Sequence, residues 1–216
     1  MNVANSMQTT DTTKATATPE EILHPGSRAL FRYWEGVRGE MSAPPRDWLN
    51  LQKIRMLVPY LFMIERKPGQ GYFWRLAGTR VCELWGKELT GGPAFTQGDR
   101  FERDSISRLL DGVVDAHQPF VLRFRVGSEA PPSVAAELVG VPLRARHGNA
   151  TYVFGVIMPF REVARAANDP VTSFELSAAR IIWTEPVPGL DWGPQAKSPS
   201  AKSQQGFQVI NGGRAN

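Results

Sequence analysis

The sequence predicts an α+β fold in which a single sheet is covered on both sides, and three observations predict it. Residues 60–65 (YLFMIE) and 152–158 (YVFGVIM) are short runs that are apolar on both faces. Strands of that kind belong in the middle of a sheet whose two faces are both buried, and the two runs are expected to be neighbours there. Between them lies the clearest helix of the chain, with Ile106, Leu109, Leu110, Val113 and Val114 on one face. Arg103, Asp104, Ser107, Arg108, Asp111 and Asp115 take the other face, so one side packs and the other is wet. The third observation is the order of elements, β-β-α-β-β-β, led by a helix rich in aromatic residues.

Taken in order, residues 1–20 are rich in Thr, Ala and Ser without an apolar period. Such a stretch buries too little surface to offset its ordering entropy, and residues 1–26 are read as a disordered arm. Pro25-Gly26 is read as a break after which Ser27 caps a helix over residues 28–38,. Leu30, Phe31, Tyr33, Trp34 and Val37 form a wide apolar stripe on it, more aromatic area than a lone surface helix needs. Residues 39–47 with Pro44-Pro45 are a loop, and residues 48–57 are weakly helical and stopped by Pro59,. The run 60–65 is a central strand, although its length also fits a buried helical turn. The turn at 67–71 (KPGQG) folds it into a hairpin with residues 72–77,. Gly78 breaks that strand, and a short helix over Thr79–Trp85 and a glycine-punctuated loop follow.

Asp99 and Glu102 have the spacing of a capping box at the start of the long helix,. Gly112 weakens that helix by about 1 kcal/mol relative to Ala, and Pro119 stops it. Residues 120–126 alternate, with Phe120, Leu122, Phe124 and Val126 on a core face and Arg123 and Arg125 facing water,. Residues 134–143 form a strand that carries Glu137 inside an otherwise apolar run, and residues 152–158 form the last one. Helices within residues 79–116 can cover one side of the sheet, and the aromatic helix or a partner subunit the other. The domain is thus expected over residues 27–160, with a short appended helix or strand in 161–185 and a flexible tail in 186–216. In that tail residues 206–211 (GFQVIN) are an apolar island, either an incidental sticky patch or a short strand that adds to a partner's sheet edge,.

Composition narrows the function. Of 216 residues, 42% are hydrophobic and 21% charged, ordinary for a soluble globular protein,. The net charge of +4 comes from scattered basic residues, without the Lys/Arg cluster that nucleic-acid binding uses,. A single cysteine, Cys82, excludes an intramolecular disulfide and a cysteine-rich metal site,. The polar N-terminus has no secretory h-region, and no run approaches the ~18 apolar residues of a membrane span; a cytoplasmic protein is expected. No phosphate-binding glycine motif and no G-x-S-x-G elbow occurs,. The carboxylates Asp99, Glu102 and Asp104 are explained by a helix start, where negative charge is stabilising,. An enzyme is not expected.

The stretches LFRYWEGVR (30–38), Pro45-Arg46, LVPYLFMI (57–64), WRLAG (74–78), LWGKELTG (84–91) and GVIMP (155–159) occur in an order and spacing that resembles the PAS domain. More narrowly, the chain looks like the short stand-alone PAS-fold proteins of alphaproteobacteria. It departs from them after Pro45-Arg46, where Asp47-Trp48-Leu49-Asn50 replaces the usual acidic pattern. The resemblance implies a five-stranded antiparallel sheet with helices enclosing a pocket on one face. It also implies a sensory and interaction module that dimerises through its leading helix, here Leu30, Phe31, Tyr33, Trp34 and Val37. The implied partners are a second copy and other signalling proteins.

The candidates for a pocket lining are Tyr72, Trp74, Leu84, Trp85, Ile106, Leu110, Phe124 and Tyr152, which suit a small hydrophobic or aromatic ligand; plain core packing explains the same residues,. The sequence requires no cofactor and shows no histidine pair at metal spacing. His117, at the end of the long helix, is the only candidate haem ligand, and its place in the last turn also suits the helix dipole,. Cys82 lies near the expected pocket wall but lacks the Asn-Cys-Arg-Phe-Leu-Gln context of flavin-reactive PAS cysteines, and reads as a small buried hydrophobe,.

Overall fold

The computed structural model describes residues 19–128, 133–146, 150–161 and 169–184, with the side chains of residues 150 and 151 excepted. The leading helix α1 (Pro25–Arg38) is followed by 3₁₀ turns at Arg46–Trp48 and Leu51–Tyr60. Then come β1 (Leu61–Lys67), β2 (Gly71–Ala77), α2 (Thr79–Trp85), α3 (Arg100–Ala116), β3 (Phe120–Gly127), β4 (Val134–Arg144), β5 (Ala150–Pro159) and β6 (Ser173–Ile181). The strands form one antiparallel sheet in the order β2-β1-β5-β4-β3-β6. The two runs apolar on both faces are neighbours, with Leu61 opposite Val156 and Ile64 opposite Val153.

The alternation along each strand divides the core in two. One layer, between the sheet and α2 and α3, holds Phe62, Trp74, Trp85, Ile106, Leu110, Phe124 and Val153. The other, beneath α1, holds Leu30, Phe31, Trp34, Val139, Val141, Tyr152, Phe154 and Val156. A one-residue slip of register would exchange the two sets, so the packing on both faces fixes the pairing.

Gly155 lies opposite Gly140 across β4 and β5. A Cβ on Gly155 would meet the Val139 carbonyl and the Phe62 ring, and one on Gly140 the Phe120 ring. The paired glycines clear the floor on which those two rings lie. Gly78 has a similar role at the end of β2: a Cβ there would strike the backbone of Val58 and Pro59, so the chain can leave the sheet only past a residue without one.

Several expectations shift. The leading helix begins at Pro25, not after it, because proline at the first helical position loses only an N–H that has no intrahelical partner,. Its cap is His24, whose Nδ1 accepts from the Gly26 amide at 3.1 Å; Ser27 is inside the helix, buried, with its hydroxyl unpaired. The sheet continues past residue 160: Ser173–Ile181 pairs along β3 as a sixth strand. The outer face of β3 is only partly in water, since Val121 is buried there and Arg123 pairs with Glu137. The capping box is present in full, with the Asp99 side chain accepting from the Glu102 amide at 2.8 Å and Glu102 accepting from the Asp99 amide at 3.0 Å. The arm up to residue 18, the 162–168 segment and the tail with its 206–211 island lie outside the described residues.

Candidate functional site

The space enclosed by the sheet, α2 and α3 is filled by the protein's own aromatic rings. Trp74 is at the centre, with ring centroids 5.9 Å from Phe62, 6.0 Å from Trp85 and 5.2 Å from Phe95. Trp85 continues to Phe124 at 6.0 Å, and Phe124 stacks on Phe174 at 4.8 Å. These are edge-to-face, tilted and stacked contacts in the favourable range for aromatic pairs. All six rings are buried, as is Leu84, and the Trp85 indole donates to Gln97 Oε1 at 3.1 Å. Trp74, Leu84, Trp85 and Phe124 are therefore together as predicted, but as a packed cluster. Phe62, Phe95 and Phe174 complete it and were not singled out in the sequence. Phe95 lies in a loop with φ of 53°, where no strand or helix period marks it.

Three of the remaining pocket candidates, Tyr72, Ile106 and Leu110, line a cleft of about 240 Å³ beside this cluster. Tyr72, Phe95, Ile106 and Leu110 make its buried floor, and Gln70, Thr96, Arg103, Asp104 and Ser107 its exposed rim. The Tyr72 hydroxyl donates to Asp111 Oδ1 at 2.9 Å, and Arg66 reaches Asp115 at 2.7 Å. Burial, reinforced by the bond to Asp111, pushes the Tyr72 phenol well above its ordinary range. It is a hydrogen-bonding wall residue and not a proton-transfer group at neutral pH.

Tyr152 is not part of this site. It faces the α1 side of the sheet, where the Arg46 guanidinium lies 5.1 Å from its ring centroid. The period of two decides this: Val153 and Ile157 take the α3 face and Tyr152, Phe154 and Val156 the other. With both faces apolar, the composition of the run left the parity open.

His117 caps the end of α3 in the left-handed conformation, with φ of 54°. Its Nδ1 lies 3.1 Å from Ser42 Oγ, and burial holds its pKa below the ordinary imidazole value against the opposing pull of Asp115. It does not line the cleft. With the interior occupied by side chains and His117 engaged by Ser42, these residues do not fit a resident haem or flavin. Burial raises the Cys82 thiol pKa, with Glu83 and Glu88 adding to it, which disfavours the reactive thiolate,. Among the described residues no group of three or more His, Cys, Asp or Glu is placed to hold a metal ion, and no helix is long and apolar enough to cross a membrane.

The leading helix spends its stripe on its own chain. Leu30, Phe31 and Trp34 are buried against the sheet, and the Trp34 indole donates to the Pro142 carbonyl at 3.2 Å. Tyr33 and Val37 are half-buried, and the Tyr33 hydroxyl accepts from the Asn50 amide at 2.5 Å. Sequence reasoning missed the polar feature beneath this helix. Glu137 is fully buried and accepts hydrogen bonds from the Leu23 and His24 amides at 3.0 and 2.8 Å. Its position as a lone acid in an apolar strand was the available signal.

No curated protein matches the chain. A family model described as a PAS domain matches residues 22–158, from just before α1 to the end of β5. The matched range takes in α1 to α3 and the five strands expected from the sequence, leaving out β6, and the chain belongs to the PAS domain family.

Proposed function

We propose that the chain is a cytoplasmic regulatory PAS protein that acts by binding other signalling proteins and a second copy of itself, without catalysis and without a haem or flavin. Family membership supports a sensory and signalling role. The observation that carries the finer reading is the interior: six buried rings from Phe62 to Phe174 fill the space in which a planar cofactor would be held. A signal read or passed on by this chain then involves its surface. The absorption spectrum of freshly purified protein tests this. Only the near-ultraviolet band of Trp and Tyr is expected; a Soret or flavin band overturns the reading.

One observation favours a small-ligand role beside it. The cleft over Tyr72, Phe95, Ile106 and Leu110 has an apolar floor and a polar rim, the composition of a small-molecule site,. At about 240 Å³ it takes only a small hydrophobic or aromatic molecule. Native mass spectrometry of the purified protein reports a bound molecule and the oligomeric state together.

A further inference from the structure

The cleft over Tyr72, Phe95, Ile106 and Leu110 lies outside the ring-filled interior, between β2, the loop that follows α2 and the N-terminal half of α3. Its floor is uncharged, whereas its rim carries one charge of each sign on adjacent residues, Arg103 and Asp104. Both are exposed, and neither is held in a tight ion pair. The Arg103 guanidinium donates to the Gly98 carbonyl at 2.5 Å, which engages one N–H group and leaves its others to a ligand,. Asp104 meets Arg100 Nε at 3.6 Å with the two side chains 58% and 90% exposed, conditions in which an ion pair contributes little,. Ser107 is one turn on from both, on the same side of the helix, and its hydroxyl can donate or accept,. Asp111, bonded to the Tyr72 hydroxyl, already has Arg66 at 3.7 Å.

A neutral ring on this floor leaves both rim charges to water. A ligand with one charge meets its opposite and is repelled by the neighbour. The complement of an apolar floor beside a cation and an anion is a molecule with an apolar body, a carboxylate and an ammonium. We propose that the cleft binds a free α-amino acid with a branched or single-ring apolar side chain. The side chain covers Tyr72, Phe95, Ile106 and Leu110, the carboxylate meets Arg103 and the ammonium meets Asp104. The proposal rests on the small-ligand reading above. A planar guanidinium is suited to the first task, because its fork gives a carboxylate two parallel hydrogen bonds. A cleft of about 240 Å³ has room for one such molecule and not for a folded segment. A peptide end offers only one of the two charges, which sets a free amino acid apart from it.

The test titrates the full chain, by ligand-observed NMR, with L-phenylalanine, with phenylpropanoate, which lacks the ammonium, and with phenethylamine, which lacks the carboxylate. L-phenylalanine is expected to bind about 5- to 10-fold more tightly than either. Arg103→Met should weaken L-phenylalanine by that factor and leave phenethylamine unchanged. Asp104→Asn should weaken L-phenylalanine and leave phenylpropanoate unchanged. Ser107→Phe puts a ring at the rim and should abolish binding of every probe. These substitutions are at exposed positions of α3, so the fold is kept. If either analogue matches L-phenylalanine, or if the Arg103 and Asp104 variants bind it like wild type, the amino-acid assignment is overturned and the small-ligand reading stands. Binding that survives Ser107→Phe lies elsewhere on the molecule and overturns the site. If no probe binds the wild-type protein the assignment also fails; the small-ligand reading falls with it only if native mass spectrometry of protein taken from cells shows no bound molecule.

Discussion

At the scale of single residues, the most constrained positions are glycines whose missing Cβ is used by a neighbour. Gly155→Ala puts a methyl against the Val139 carbonyl and the Phe62 ring in the fully packed centre of the sheet. Overpacking of this kind costs about 1–3 kcal/mol. Gly112 offers the opposite case: nothing lies near its absent Cβ, and it sits inside α3. Gly112→Ala is expected to stabilise the protein by about 1 kcal/mol. Urea titrations of both variants check the pair; equal midpoints would show that the close contacts around Gly155 relax without cost. Titration at His24 is a second consequence at this scale. Its Nδ1 caps α1 only when unprotonated, and burial lowers its pKa from the ordinary 6.5, with Glu137 pulling the other way. The unfolded chain therefore binds a proton that the folded one resists. Stability is complete above the unfolded value and is lost as pH falls through about 6.5 towards the folded pKa. His117, lowered by burial as well, adds a slope of the same sign. Thermal melts from about pH 7 to about pH 5 should show a falling midpoint. His24→Asn, which keeps a capping oxygen but does not titrate, should make that slope shallower.

At the scale of elements, α3 shows how a local signal becomes a tertiary one. Its capping box is readable from Asp99 and Glu102 alone, because cap geometry involves only neighbouring residues. What the sequence did not show is that Glu102 Oε1 also accepts from the Leu176 amide at 3.3 Å, tying the helix start to the outer edge of β6. Asp99→Ala should cost about 1 kcal/mol as a lost cap. Glu102→Ala loses the return bond of the box and the tie to β6, and should cost more. A double-mutant cycle with urea unfolding measures the difference; equal costs would mean that the β6 contact contributes nothing. The same division runs through the whole reading. Periodicity placed α2, α3 and the strands well, since each depends on residues a few positions apart. It placed β6 poorly, because that strand is defined by pairing with β3 some fifty residues earlier. Tyr152 failed for a related reason: a strand apolar on both faces carries no mark of which parity faces which helix. Trp74, Trp85 and Phe124 lie together in the fold, yet a list of aromatics cannot distinguish a lined pocket from a filled one, which depends on Phe95 and Phe174 arriving from distant segments.

For the molecule as a whole, the two sheet edges and the two sheet faces are managed differently. The outer side of β2 is paired by the following loop, with Trp74 donating to the Gly92 carbonyl at 2.9 Å and Ala94 to the Tyr72 carbonyl at 2.7 Å. On the outer side of β6, Glu102 takes the Leu176 amide and the Arg180 guanidinium donates to the Ala179 carbonyl at 2.9 Å. Edges blunted in this way resist strand addition, so a protein partner is better met by a face. One face is sealed by α2, α3 and the aromatic cluster; the other depends on α1, which no strand brackets. Trp34 is its largest fully buried side chain, and its indole bond to Pro142 adds a polar tie to β4. Trp34→Ala should cost about 3–5 kcal/mol, as truncation of a buried aromatic does. Trp48→Ala and Trp183→Ala remove rings that are 55% and 74% exposed and should fall within about 0.5 kcal/mol of wild type,. Guanidinium unfolding of the three variants makes the comparison. If Trp34→Ala were as mild as the exposed pair, α1 would contribute little to the fold, and its apolar stripe would be available to a partner.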